Sequence, residues 1–473
     1  MRRVLLFLIA AAAAGQTFDL VVAGGRVMDP ESKLDAVRHI GVRGGKIAAI
    51  SASPLQGART IDAQGLVVAP GFIDLHAHGQ DLENQRYQVR DGVTTALELE
   101  IGAYDIDKWY GEREGKRLIH SGVSVGHPPA RVKVFKDPST TVLPQGVGAR
   151  RSPTDEDITL LKQAIERGLK RGALGVGFGI QYTPGASRWE ILEMFRVAGR
   201  VHAPVFVHMR HMGATEPDAI NSLEEIIAAA MLTGAPLHVV HITSSGLTLT
   251  PKLLAIIAEA RARGLDVTTE CYPYNAAMTE LQSAMFDPGW QKILGIDYDR
   301  VEWTATGERL TRESFEKYRK QGGMVIMHMI PDRVVETAIA SPLTMIASDG
   351  ILQGGKGHPR GAGTFARVLG RYVREQKTLT LMEALEKMSL QPARRLESIA
   401  PQMKNKGRLR VGADADLTIF DPARVIDQAT FQRPALPSQG IEYVLVSGAT
   451  VVEKGGLIEQ SRPGQAIRAR VRE

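Results

Sequence analysis

The stretch Val67-Val-Ala-Pro-Gly-Phe-Ile-Asp-Leu-His76-Ala-His78 constrains this 473-residue chain more than any other. It reads as a buried strand that delivers two imidazoles to its own C-terminal end. Residues two apart on a strand share a face, so His76 and His78 can bind one metal ion together. A lone His-x-His pair also fits a solvated strand, and the rest of the chain has to decide between the two. Val205-Phe-Val-His208, Leu237-His-Val-Val-His241 and Leu343-Thr-Met-Ile-Ala-Ser-Asp349 repeat the design, each an apolar run ending in a metal-binding or proton-handling side chain. Parallel (β/α)8 barrels carry their chemistry at such strand ends.

The intervening sequence suits that architecture. Between residues 67 and 400 apolar strands alternate with helical stretches, among them Thr154 to Arg171, Arg188 to Arg200, Ser222 to Thr233 and Pro251 to Arg263. Such alternation predicts an α/β fold with a parallel sheet, and its length suits a closed (β/α)8 TIM-like barrel. Residues 16–66 and 401–473 have a different texture, short β segments broken by glycine turns, as in Lys46-Ile-Ala-Ala-Ile and Ile441-Glu-Tyr-Val-Leu-Val. The two ends are expected to pair into one small β-sandwich domain. Ala276 to Arg319 exceeds an ordinary connection, and loops of that size often serve as lids or substrate-binding elements.

Charge and cysteine usage narrow the partners. The net charge of +6 includes Arg2 and Arg3 and is mild. No basic stripe interleaved with aromatic residues points to nucleic acid, and Arg462, Arg468, Arg470 and Arg472 read as a solvated tail. Residues 1–15, basic and then apolar and then small, have the outline of a secretory signal peptide. The apolar run is shorter than the roughly 20 residues a bilayer span needs. The single cysteine, Cys271, excludes an intrachain disulfide and an N-terminal lipid anchor. The expectation is a secreted or periplasmic protein, free of the membrane once the signal is removed.

Several motifs in order make the pattern specific: Pro70-Gly-Phe-Ile-Asp-Leu-His-Ala-His78, Asp91-Gly-Val-Thr-Thr95, Val207-His-Met-Arg210, Tyr272-Pro-Tyr274, Ala347-Ser-Asp-Gly350, His358-Pro-Arg-Gly361 and Gln391-Pro-Ala-Arg-Arg395. With them the chain resembles the amidohydrolase superfamily and, within it, the D-aminoacylase or N-acyl-D-amino-acid deacylase family. The resemblance implies metal ligands His76 and His78 from the first barrel strand, His208 from the fifth, His241 from the sixth and Asp349 from the eighth. Imidazole and carboxylate donors suit zinc, one or two ions per chain, with a position left open for water. Of the remaining histidines, His238 is expected to pack on the other face of its strand and His328 to be a satisfied strand residue. His127 lies where the family has a Gly-His pair, open between a donor near the site and a loop-packing role.

Two departures from the family bear on the site. Many members place a cysteine after Gly-Val-Thr-Thr; here the segment is Ala96-Leu-Glu98-Leu-Glu100. Two carboxylates on one strand face are costly without a cation, and Glu100, nearly aligned with the family cysteine, is preferred over Glu98 as ligand. The run Gly172 to Gln181 offers no lysine to bridge two metals, a role that falls to Glu100. Where relatives carry a lysine two residues after His241, this chain has Thr243. Recognition of a substrate carboxylate then leans on Arg360, with Tyr274 and Arg210 assisting. The implied reaction is hydrolysis of an N-acyl-D-amino acid, with Asp349 as general base and then general acid. A dipeptidase, a cyclic amidase of the hydantoinase or dihydroorotase type, and a non-catalytic ligand-binding barrel are the alternatives.

Overall fold

The computed structural model describes residues 17–471; the proposed signal peptide lies outside them. Eight parallel strands form one sheet: β1 (Phe72–Asp74), β2 (Val93–Ala103), β3 (His120–Gly126), β4 (Val176–Gly179), β5 (Val205–His208), β6 (Leu237–Val239), β7 (Val267–Cys271) and β8 (Thr344–Ile346). Each is paired with the next in sequence except across the seam between β1 and β8. That seam is closed just beyond the strands, where Asp349 N–H donates to His76 O at 2.7 Å and Gly79 N–H to Gly350 O at 3.0 Å. The strands are buried because helices cover the outside. Helix Asp155–Lys170 shows how the sequence sets one of them: Thr154 and Asp157 form a reciprocal capping box, and Ile158, Leu161, Ile165 and Leu169 fall on one buried face.

Inside the barrel, Ile73, Leu75, Leu97, Leu99, Leu174, Phe206, Val240 and Met345 form a separate apolar cluster, as the two-residue period of a strand requires. Ile467 belongs to it. Its N–H donates to Ser121 O at 2.8 Å, and Tyr110 donates its hydroxyl to Ile467 O. The tail as far as Ala469 is therefore docked under the barrel, whereas Arg470 is exposed as its charge suggested and Arg472 lies outside the described residues. Arg468 instead pairs with Asp107 on the barrel's own surface.

The two chain ends share a nine-stranded sheet. Val67–Pro70 runs antiparallel to Leu417–Phe420, with Val67 opposite Phe420 and Pro70 opposite Leu417. This corrects the opening reading of residues 67–78 as one strand. The run breaks at Gly71, where Thr94 atoms lie 2.2–2.8 Å from where a Cβ would sit. The first half belongs to the outer sheet and only Phe72–Asp74 to the barrel.

The long connection between β7 and β8 is an antiparallel sheet, ordered Ala277–Glu280, Met324–Met327, Val301–Trp303, Glu308–Arg309. His328 follows its second strand and lies 2.9 Å from Glu302. Among the described residues, no helix is long and apolar enough to cross a membrane.

Candidate active site

Six side chains meet at the C-terminal ends of the barrel strands. Donor atoms of His76, His78 and Asp349 lie within 4.8 Å of one another, as do those of Glu100, His208 and His241. Glu100 joins the two groups. Its Oε1 is 2.8 Å from His208 Nδ1 and 2.9 Å from His241 Nε2, and its Oε2 is 3.2 Å from Nε2 of both His76 and His78. Asp349 Oδ1 faces the same two imidazoles at 3.4 and 3.3 Å.

The backbone is bent to bring these groups in. β2 and β3 stay in register as far as Glu98 opposite Val123, then lose it until Ala103 meets Val125. The extra residues of β2 form a bulge that turns Glu100 inward, a familiar device beside active sites. Gly177 makes room for it, since a Cβ there would sit 2.3 Å from Glu100 O. His241 and Asp349 have φ of 32° and 52°. Left-handed backbone at a non-glycine residue costs on the order of 1–3 kcal/mol and persists where the surroundings hold it.

Each imidazole has one nitrogen held from outside, which leaves the other for the centre. His76 Nδ1 lies 2.6 Å from Glu270 Oε1, His78 Nδ1 2.7 Å from Glu98 Oε2, His208 Nε2 2.8 Å from Gln181 Oε1, and His241 Nδ1 3.1 Å from Ser245 Oγ. Outer partners of this kind fix ring orientation and tautomer for metal binding. They also separate the two glutamates. Glu98 grips His78 and accepts from Ile101 and Gly102 N–H, while Glu100 points to the centre. Sequence reasoning missed Glu270 and Gln181. A glutamate inside the strand run Val267-Thr-Thr-Glu-Cys271 was the available signal for the first; for the second there was none. His238 is not inert packing either, because its Nε2 lies 3.0 Å from Glu270 Oε2.

The electrostatics fit a cation. Burial alone would depress the His76 and His78 pKa values, yet the neighbouring Asp349, Glu100 and Glu98 carboxylates outweigh it and push both well above the ordinary imidazole range. His208 stays below it, chiefly through burial. Burial would raise the Asp349 carboxyl, but Arg360 and the imidazoles hold it below the usual range. Four buried carboxylates, Glu98, Glu100, Glu270 and Asp349, meet one guanidinium, Arg360, whose Nη2 is 2.9 Å from Asp349 Oδ1. Nitrogen and oxygen donors around such a deficit match a divalent metal such as zinc.

The amidohydrolase family profile matches residues 131–452. N-acyl-D-glutamate deacylase of Alcaligenes xylosoxydans xylosoxydans is 30% identical, the match covering 96% of this chain and 97% of that protein. The chain belongs to the amidohydrolase family. D-aminoacylase of the same organism is 31% identical over 95% of this chain and 96% of its own length. The crystal structure of N-acyl-D-glutamate deacylase from Bordetella bronchiseptica, complexed with zinc and a phosphonate mimic of the tetrahedral intermediate, superposes with a TM-score of 0.82 at 27% identity, over 96% of this chain and all of that one. A D-aminoacylase structure concerned with the role of its binuclear metal centre gives 0.81 at 27% identity, with the same coverage. The chain is thus a metal-dependent hydrolase of carbon–nitrogen bonds.

None of the four residues expected to bind the substrate in this amidohydrolase, Arg360, Arg210, His127 and Tyr274, lines the cavity in front of the cluster. Arg210 is forked onto Glu225 at 2.7 and 2.8 Å. His127 is fully buried against Glu190 at 2.7 Å. Tyr274 packs edge-on to His358 and reaches Asp427. In each case a carboxylate from another element takes up the polar group, although Nδ1 of His127 has no partner among the described residues. Arg360 is buried beside the cluster instead, over the ring of Tyr272 at 4.6 Å. Its Nε and Nη1 make no hydrogen bond among the described residues.

Proposed function

We propose that this amidohydrolase deacylates N-acyl-D-amino acids and uses zinc. The observation that carries the reading is Glu100 standing between two donor groups at the foot of a cavity, in a chain that matches a D-aminoacylase over nearly its whole length. His76, His78 and Asp349 would hold one ion and His208 and His241 the other, with Glu100 shared. Bound there, the metal supplies a water acidified toward neutral pH and a polarised scissile carbonyl.

The side chains do the rest. Asp349, anionic and within 3.5 Å of His76 and His78, takes a proton from the attacking water and returns it to the leaving amine. Glu98, Glu270 and Gln181 keep the imidazoles in the orientation and tautomer that binding requires. Arg360 offers two unpartnered N–H donors to the substrate carboxylate, a group that guanidinium matches in two-point fashion. A barrel without catalysis would gain nothing from four buried carboxylates, each expensive to desolvate. Export through residues 1–15 is part of the proposal, and N-terminal sequencing that finds Met1 on a cytosolic pool refutes that part.

The test is hydrolysis of paired N-acetyl-D- and N-acetyl-L-amino acids and dipeptides by zinc-loaded enzyme. Selective release of free D-amino acid is expected. Turnover confined to L-substrates or dipeptides overturns the reading.

A further inference from the structure

The cavity in front of the cluster measures about 360 Å³. Six of the residues around it are methionines, Met212, Met278, Met285, Met324, Met327 and Met329, out of fifteen in the whole chain. Four of them come from the β7–β8 insert sheet and the segment just after it, so this lining is assembled mainly by one element. Unbranched thioethers adapt to irregular, flexible apolar partners better than branched side chains do.

The charged groups around the same cavity are mainly carboxylates. Arg113 is the one Lys or Arg side chain in the lining. It lies 4.1 Å over the Trp109 ring and donates to Trp109 O at 2.8 Å and Gln80 O at 3.3 Å, and it shares the lining with five carboxylates, Asp81, Glu98, Glu100, Glu280 and Asp349. Glu280 is in the wall and accepts from Thr141, Gln145 and Gln282. A side-chain carboxylate entering here would lose water and meet a wall in which carboxylates outnumber the single guanidinium, which is costly.

We infer that the substrate carries a long, flexible apolar substituent seated against these methionines, and not a second carboxylate. This rests on the deacylase reading above and sets the chain apart from the N-acyl-D-glutamate deacylase it resembles. The substituent is either the acyl chain or the amino-acid side chain; both present the same chemistry to the wall. Each methylene removed from water there is worth about four-fold in binding.

Two series of substrates separate the sources: acetyl, butanoyl, hexanoyl and octanoyl on D-alanine, and N-acetyl on D-alanine, D-norleucine, D-phenylalanine and D-glutamate. In one series kcat/KM should climb by about 30-fold or more from smallest to largest apolar member, with N-acetyl-D-glutamate the poorest of the second. A climb in the first assigns the cavity to the acyl chain, and a climb in the second to the side chain. Two flat series, or glutamate as the best substrate, overturn the inference and leave the deacylase reading standing. Should no compound turn over, calorimetric titration of Asp349→Asn still decides: neither octanoyl-D-alanine nor N-acetyl-D-norleucine binding more tightly than N-acetyl-D-alanine overturns it. Met278→Ala combined with Met329→Ala should lower the preference for the larger substrate about ten-fold, whereas Met278→Leu should retain it. An unchanged preference in the alanine pair removes the methionines from the account.

Discussion

Two of the molecule's buried ionic clusters are treated by the chain in opposite ways. Where the barrel meets the outer sheet, Asp416 takes Lys406 Nζ at 2.6 Å on one oxygen and His120 Nε2 at 3.1 Å and Ser447 N–H at 2.7 Å on the other. Lys406 also reaches Asp414 at 2.9 Å. Charge and hydrogen bonding close there without outside help, and the cluster acts as a joint between the barrel and the outer sheet. At the strand ends, four carboxylates surround four imidazoles with one guanidinium among them. Burying charge is tolerable when it is paired, so the cluster left unbalanced is the one prepared for a cation.

The largest effect should come from removing the shared carboxylate. Glu100→Ala is expected to leave less than about a tenth of the parent's bound zinc, since affinity here depends on deprotonated ligands, and activity should fall with it. Metal analysis of the purified variant checks this, and a full zinc complement would break the contrast between the clusters. Next comes Asp349→Asn, expected to retain the zinc held through Glu100, His208 and His241 while kcat falls by about 10²–10⁴; near-normal turnover would remove Asp349 from proton transfer.

Smaller losses should follow when only the outer partners change. Glu98→Gln and Glu270→Gln are each expected to cost about 10–100-fold in metal affinity or activity, read by competition with a zinc chelator. A loss as deep as that of Glu100→Ala would make Glu98 a ligand in its own right.

Lys406→Met sharpens the comparison from the other side, with kinetics and zinc content unchanged but stability to urea reduced by about 3–5 kcal/mol. The pH dependence has a definite sign. Burial would raise the Asp416 carboxyl, but Lys406 and His120 hold it far below its ordinary range. Its contribution is therefore present above an unfolded carboxyl pKa near 3.9 and is lost only as pH falls through the lower folded value. Without Lys406 that folded value rises, and the variant should unfold at a higher pH on acidification than the parent. Identical acid transitions would show that the joint carries no weight.

Much of the barrel was legible because its signals are local. A strand's two-residue period and an apolar run ending in His or Asp are both read within a dozen residues, and a parallel barrel brings such ends together wherever they lie in the chain. His76, His78, His208, His241 and Asp349 converge for that reason. Even the missing cysteine was informative, since two glutamates in a buried strand demand a compensating charge.

Tertiary structure alone decided what depends on partners far away in the chain. Glu270 meets His76 across 194 residues, and nothing near either residue announces the pairing. Glu98 and Glu100 are equivalent by periodicity; the bulge after Glu98, accommodated by Gly177, sends one to an imidazole's outer nitrogen and the other to the centre. Arg210, His127 and Tyr274 lie near the right motifs but are turned away by Glu225, Glu190 and Asp427. The break at Gly71 and the docking of Ile467 follow from the pairing of distant backbone segments. Sequence by itself determined which strand ends carry the chemistry, because periodicity and polarity are properties of neighbours. Which polar groups remain free to perform it was decided by the fold, because a buried donor or acceptor goes to whichever partner the packing puts within reach.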